Sequence, residues 1–282
     1  MAEVITEDLP RVKFTTTRQG SCSLPPDTPD LQALAALMAR MEALGAAPLL
    51  ADGAVGGNCG ILVDLPGAEC AALFVSRTGK PPGLHLSAAD FVQVVRFDKE
   101  AWAADFRSHD PQHRPTSDTP LLQACLSSIS QARHHWSQQP RVAFHGHALA
   151  EGEGLAEARR LGLPISEQAT LFSTPPDLQQ LEDLLMAHPY PQECCFIRRG
   201  HGFFILAGSA AEAEAVFEDK VVPFLARQQQ QQQQEQQGHK LEKGQRQEQA
   251  GQQQQQQQRE QKLQREDKAQ PQQPDDSTQL QS

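Results

Sequence analysis

"CCFIRRGHGFFILAGSAAEAEAVFEDKVVPFL", Cys194–Leu225, decides the fold. Two apolar runs, "CCFIRR" and "FFILAG", flank the short turn "GHG" and read as strand, turn, strand. "SAAEAEAVFEDKVVPFL" then reads as a helix, with Ser209 and Glu212 spaced as a capping box. Apolar strands set between helices argue for one α/β domain whose sheet is covered.

Working towards the N-terminus, "STPPDLQQLEDLLMAHP" reads as a helix capped by Thr174 with Pro175 in its first turn. "RVAFHGH" is a strand end, and the segment after it reads as mostly irregular. "HRPTSDTPLLQACLSSISQARHH" is a polar loop feeding a helix with Leu122, Cys125, Leu126 and Ile129 on its buried face. "SAADFVQVV" reads as a short helix or turn, Ser87 capping it and Asp90 in the capping-box position. "CAALFVS" is a strand ended by "RTGKPPG", and "GAVGGNCGILVDL" is a glycine-rich turn running into another. "TPDLQALAALMARMEALG" starts a helix, with Thr28 as cap, Pro29 in the first turn and Leu31, Leu34, Met38 and Met41 on one face. Residues 1–27 read as a loosely attached arm, and residues 28–227 as the domain.

Residues 228–282 are dominated by glutamine, with unbroken runs at Gln228–Gln234 and Gln252–Gln258. With almost no apolar side chains, that tail cannot offset the entropy of ordering itself, so it is expected to be disordered. Helix or coiled coil is the alternative, because Gln and Glu are fair helix formers. From Arg227 onward eight basic and eight acidic residues cancel, so the formal charge of −10 belongs to residues 1–226. An acidic body repels nucleic-acid phosphates and anionic lipid, which excludes neither a small phosphate nor a local basic pocket. "MAEVITEDLPRVKF" lacks the apolar core of a signal peptide, and no run approaches membrane-spanning length. Six cysteines, two of them adjacent and none in a CxxC pair, do not read as a disulfide framework or a thiolate zinc site. The expectation is a reduced, cytoplasmic protein with neither nucleic acid nor membrane as a partner.

Three histidines stand in or beside these strands: His145 and His147 in "VAFHGHAL", and His201 in "RRGHG". A bend at Gly146 would let the first two rings converge. Neutral imidazoles are good zinc ligands, and catalytic sites commonly use three protein ligands and keep a position open. On the residues alone, a metal role and an ordinary turn role both remain open.

Taken together, "GGNCG", "SRTGKPPGLHLSAADFV", "RPTSDTPLLQACL", "VAFHGHAL" and "RRGHGFFILAGSAAEAEAVF" resemble the class II aldolase/adducin N-terminal-domain family. They cover about Leu31 to Leu225 in the family's order. The resemblance implies a three-layer α/β/α fold with a mostly antiparallel central sheet, and a homo-oligomer, many members being cyclic tetramers. It also implies a divalent metal, usually Zn2+, held by His145, His147 and His201. By resemblance the phosphate-holding loops of the sugar-phosphate enzymes fall on Gly57 and Asn58, on Thr78 and Gly79, and on Thr116 and Ser117. Hydroxyls, an amide and loop N–H groups are the donors a phosphate needs. Lys80 and Arg77 could add charge or be solvated loop residues.

Asp118 falls on the acid/base position near the metal. A glutamate there resembles the aldolases, an aspartate the pentulose-phosphate 4-epimerases, and the plain alternative is a helix-start carboxylate favoured by the dipole. The chain also departs from the family. The tyrosine that aldolases carry beyond the HxH pair is missing, and nothing places the sole tyrosine, Tyr190, in a site. The expected function is aldolase-type cleavage of a small hydroxy-carbonyl or sugar-phosphate compound through an enediolate. A 4-epimerase and a non-catalytic, adducin-like interaction protein are the alternatives.

Overall fold

The computed structural model describes residues 12–22, 24–25, 27–127 and 136–268. Ile129, His134 and His135 lie outside the described residues. The chain divides into two units, Met1–Arg227 and Gln228–Ser282.

The first unit is built on one eight-stranded sheet. Its strands are β1 (Thr15–Arg18), β2 (Asn58–Val63), β3 (Ala72–Ser76), β4 (Phe91–Asp98), β5 (Ala103–Ser108), β6 (Val142–Gly146), β7 (Cys195–Arg198) and β8 (Gly202–Ala207). They lie in the order β1-β5-β4-β3-β2-β6-β8-β7. Only β1 and β5 pair in parallel, every other neighbour being antiparallel. The helices are α1 (Leu31–Ala43), α2 (Thr119–Leu126), α3 (Gly152–Arg160), α4 (Pro175–Ala187), α5 (Ala210–Lys220) and α6, which begins at Val222 and continues to Lys268.

Period-two alternation sorts the strand residues into two cores. Cys59, Ile61, Phe74, Val142, Phe144, Phe203 and Ile205 face one side, where α1, α3 and α5 bring Leu34, Met38, Met41, Leu155, Ala158 and Phe217. Leu62, Val75, Ala143, Phe196, Phe204 and Leu206 face the other, packed on Leu121, Leu122, Cys125, Leu178, Leu181 and Leu185 of α2 and α4. This is the expected three-layer α/β/α arrangement. Burying one such Phe or Leu side chain stabilises the fold by roughly 1.5–3 kcal/mol.

Several local expectations are corrected. The described part of the arm is anchored: β1 pairs with β5, and Phe14 and Leu24 are buried. Thr28 does not cap α1; its hydroxyl donates to the carbonyl of Pro25, and the helix starts at Leu31 behind Asp30. The Ser87–Asp90 capping box exists, but it closes a 3₁₀ turn of three residues, after which Phe91 enters β4. The segment after β6 is irregular over most of its length, as expected, but it also contains α3, which the sequence reading passed over.

In the second unit the glutamine-rich segment is helical as far as Lys268. This is the form its propensity allows, with no apolar stripe along it. No helix among the described residues is long and apolar enough to cross a membrane.

Candidate metal centre

Strand register assembles the site. Asn58 at the start of β2 sits opposite His145 near the end of β6, and His145 opposite Phe204 of β8. His201 is in the turn just before β8, and His147 lies one residue beyond β6, its N–H donating to the carbonyl of Ala46. Residues two apart on a strand share a face, which brings the first two rings together. Ring centroids of His145 lie 5.0 Å from His147 and 4.6 Å from His201. One ligand nitrogen from each histidine lies within 4.8 Å of the other two, a grouping that could hold one metal ion.

Two glycines make this approach possible by leaving space. A Cβ on Gly202 would meet the Gly146 carbonyl oxygen at 2.0 Å and His145 Cε1 at 2.8 Å. One on Gly146 would meet Met41 Sδ and Phe203 Cζ, each at 2.6 Å.

The donors fit a divalent metal. His145 is fully buried, stacks on Phe204 at 4.3 Å, and its Nδ1 lies 2.8 Å from the carbonyl oxygen of Phe203. A carbonyl can only accept, so Nδ1 carries the proton and Nε2 presents a lone pair. That Nε2 is buried and has no hydrogen-bond partner. Burial and the neighbouring His201 push the imidazole down to about 3, which keeps it neutral and able to coordinate. His201 differs. Burial pulls it down, but Asp118 and Asp177 outweigh that and raise it, so its surroundings favour a positive charge there.

Asp118 stands at the start of α2, yet its side chain caps nothing. Its Oδ2 accepts from Asn58 Nδ2 at 2.5 Å and lies 3.6 Å from His145 Nε2. Its Oδ1 accepts from Ser173 Oγ at 3.0 Å and lies 3.5 Å from His201 Nε2. Burial raises this carboxyl, but His201, His145 and the Asn58 hydrogen bond more than compensate and hold it below the usual range. The carboxylate is aimed at the histidines, not at its helix.

These groups open onto a cleft of about 370 Å³. Asn58, Thr78, Gly79, Thr116, Ser117, Asp118, His147 and His201 all line it, while His145 is buried behind them. Thr78 Oγ1 is buried without a hydrogen-bond partner. The cationic candidates are answered by acids: Lys80 is paired with Glu42, and Arg77 Nε with Asp90 Oδ1 at 3.0 Å. Tyr190 is elsewhere, packed in the second core against Trp136.

Sequence reasoning missed Asp177, Ser173 and Arg198. Asp177 Oδ2 faces His201 Nδ1 at 3.3 Å and accepts from the Ser173 N–H at 3.0 Å. Its Oδ1 accepts from Arg198 Nε at 3.1 Å and Nη2 at 2.5 Å. Acid and arginine are both fully enclosed. Ser173 reaches both acids from a left-handed φ of 56°, a conformation costing about 1–3 kcal/mol outside glycine. The available signal was Arg198 itself, a charge inside an apolar strand that must find an acid.

No family model matches the chain, and no curated protein matches it. Among solved structures it is similar to the N-terminal class II aldolase domain of a conserved protein from Thermoplasma acidophilum, at 17% identity and a TM-score of 0.44, over 73% of this chain and 94% of that one. It is similar to a sugar-phosphate aldolase from Thermotoga maritima, at 12% identity and 0.49, over 70% and 94%. An aldolase II superfamily protein from Pseudomonas syringae follows at 16% and 0.42, over 72% and 78%. At such identities and scores the likeness says nothing of activity, and the chemistry has to be argued from the side chains.

Proposed function

We propose that this chain is a metal-dependent lyase of aldolase type, acting on a small hydroxy-carbonyl or sugar-phosphate substrate. The observation that carries the reading is the pair of approaches from Asp118, which lines the cleft, to the Nε2 atoms of His201 and of the buried His145. His145, His147 and His201 would hold the metal, with Zn2+ the proposed ion for three imidazoles. When bound, the ion supplies Lewis-acid stabilisation of the charge that develops on substrate oxygens.

The chain's own groups do the rest. Asp118, ionised and clamped between Asn58 and Ser173, accepts the substrate proton and later returns it. Asp177 and Arg198 behind His201 fix its ring. Thr78 Oγ1, Thr116, Ser117 and the Gly79 turn line the cleft and offer hydroxyl and N–H donors to a phosphate or sugar hydroxyl. A cytoplasmic assembly of identical chains, a tetramer by resemblance, belongs to the same reading. A 4-epimerase is the second reading, favoured by aspartate instead of glutamate at position 118.

The test is an assay of zinc-loaded protein on hydroxy-carbonyl compounds with and without phosphate. Aldehyde release and epimer formation are both followed by NMR. Cleavage is expected, with Asp118→Asn slower by about 10²–10⁴-fold. Epimer without aldehyde selects the second reading. Absence of both, with zinc in place, leaves an adducin-like interaction protein.

A further inference from the structure

Three lysine or arginine residues line the cleft among the described residues: Lys13, Arg77 and Lys80. Arg77 is held by Asp90, and Lys80 by Glu42. Lys13, just before β1, is different. Its Nζ is shut off from solvent, and it has no hydrogen-bond partner among the described residues. It lies over the ring of Phe172, 3.1 Å from the centroid, and that ring is 5.9 Å from the ring of His201. The ammonium therefore stands at the histidine end of the cleft.

A buried ammonium whose near contact is an aromatic ring lacks the hydrogen bonds that water would give it. Burial draws the amine down to about 8 against the pull of Asp118 and Asp177, so most of it is still charged near pH 7. Among the described residues the cleft thus holds one ammonium that no acid pairs with by hydrogen bond or close ion pair, although Asp118 and Asp177 act on it at longer range, beside the place where a substrate's reacting atoms would sit.

We infer that Lys13 is the substrate-recognition cation of this site, its ammonium taking an oxyanion on the substrate, a carboxylate or a phosphate group. This deepens the lyase reading and rests on it for the notion of a substrate, but the binding event can be measured without turnover. It also gives a purpose to anchoring residues 15–18 as a strand: β1 fixes the chain that carries Lys13 over the cleft.

The test is calorimetric titration of the full chain, with and without zinc, using glycolate, inorganic phosphate and uncharged dihydroxyacetone as separate probes. Lys13→Met should weaken at least one anion by about 10–100-fold, the worth of a charge-assisted hydrogen bond, and leave dihydroxyacetone unchanged. Lys13→Arg should restore most of the loss. A loss confined to glycolate identifies a carboxylate, one confined to phosphate a phosphate group. Equal anion affinities in wild type and Lys13→Met, or no anion binding by the wild type, overturn the inference. If the wild type takes up no zinc but Lys13→Met still loses anion affinity, the metal reading fails and the assignment of Lys13 stands. Normal zinc with indifferent anion binding is the reverse.

Discussion

Asp177 Oδ2 lies 3.3 Å from His201 Nδ1, on the side of the ring opposite Asp118. One histidine is therefore held between two carboxylates, and the rear one is itself held by Arg198 and the Ser173 N–H. This arrangement favours a proton on Nδ1 and leaves Nε2 on the side of Asp118.

Asp177→Asn keeps the shape but removes the charge that orients His201. Zinc affinity, measured by competition with a chromophoric chelator, should fall by about 10–100-fold. Unchanged affinity would mean that the turn before β8 orients the ring unaided.

Arg198 and Asp177 form an ion pair with no exposure on either side. Arg198→Met leaves the acid uncompensated and should cost about 3–5 kcal/mol in urea unfolding. The double variant Asp177→Asn/Arg198→Met should lose clearly less than the sum of the two single losses, since neither charge is then stranded. Additive losses would show that the pair contributes only as packing.

Gly202→Ala places a methyl group against the Gly146 carbonyl and the edge of His145. The strands must separate where the site is built, so zinc content and unfolding midpoint should drop together, with at least about 1–3 kcal/mol lost. Wild-type values for both would contradict the close packing of β6 on β8.

The parts of this molecule legible in its sequence are those written in local pattern. The strand–turn–strand–helix at the C-terminal side of the domain follows from the apolar runs around His201 and from Ser209, which accepts from the Glu212 N–H. The histidines and Asp118 were legible as types at suggestive spacing. Strand β1, "TTTR", was not: it is four residues long, none of them buried, and its partner β5 lies far along the chain. Strand β5 hid for a similar reason, since "AADFRS" carries only one large apolar side chain, Phe106. Asp177 and Lys13 escaped because an acid in the first turn of a helix and a lysine near a chain end have ordinary explanations. Only the tertiary fold puts one behind His201 and the other over Phe172.

The glutamine-rich segment offers no apolar stripe and so has little to bury. Truncation after Arg227 keeps the Arg227–Glu157 contact and should leave the thermal midpoint and zinc content of the domain unchanged. A fall of more than a few degrees, or a smaller assembly by light scattering, would give the segment a structural part.

The most direct measurement is the zinc content of full-length protein purified without chelator or immobilised metal, for wild type, His147→Ala and Asp118→Asn in parallel. The account predicts close to one zinc per chain in the wild type, little in His147→Ala, and near wild-type content in Asp118→Asn, whose side chain moves protons and holds no metal. A wild type without metal, or a His147→Ala variant that retains it fully, would contradict the three-histidine centre. Loss of zinc in Asp118→Asn would make Asp118 a ligand and leave the proposed reaction without its base.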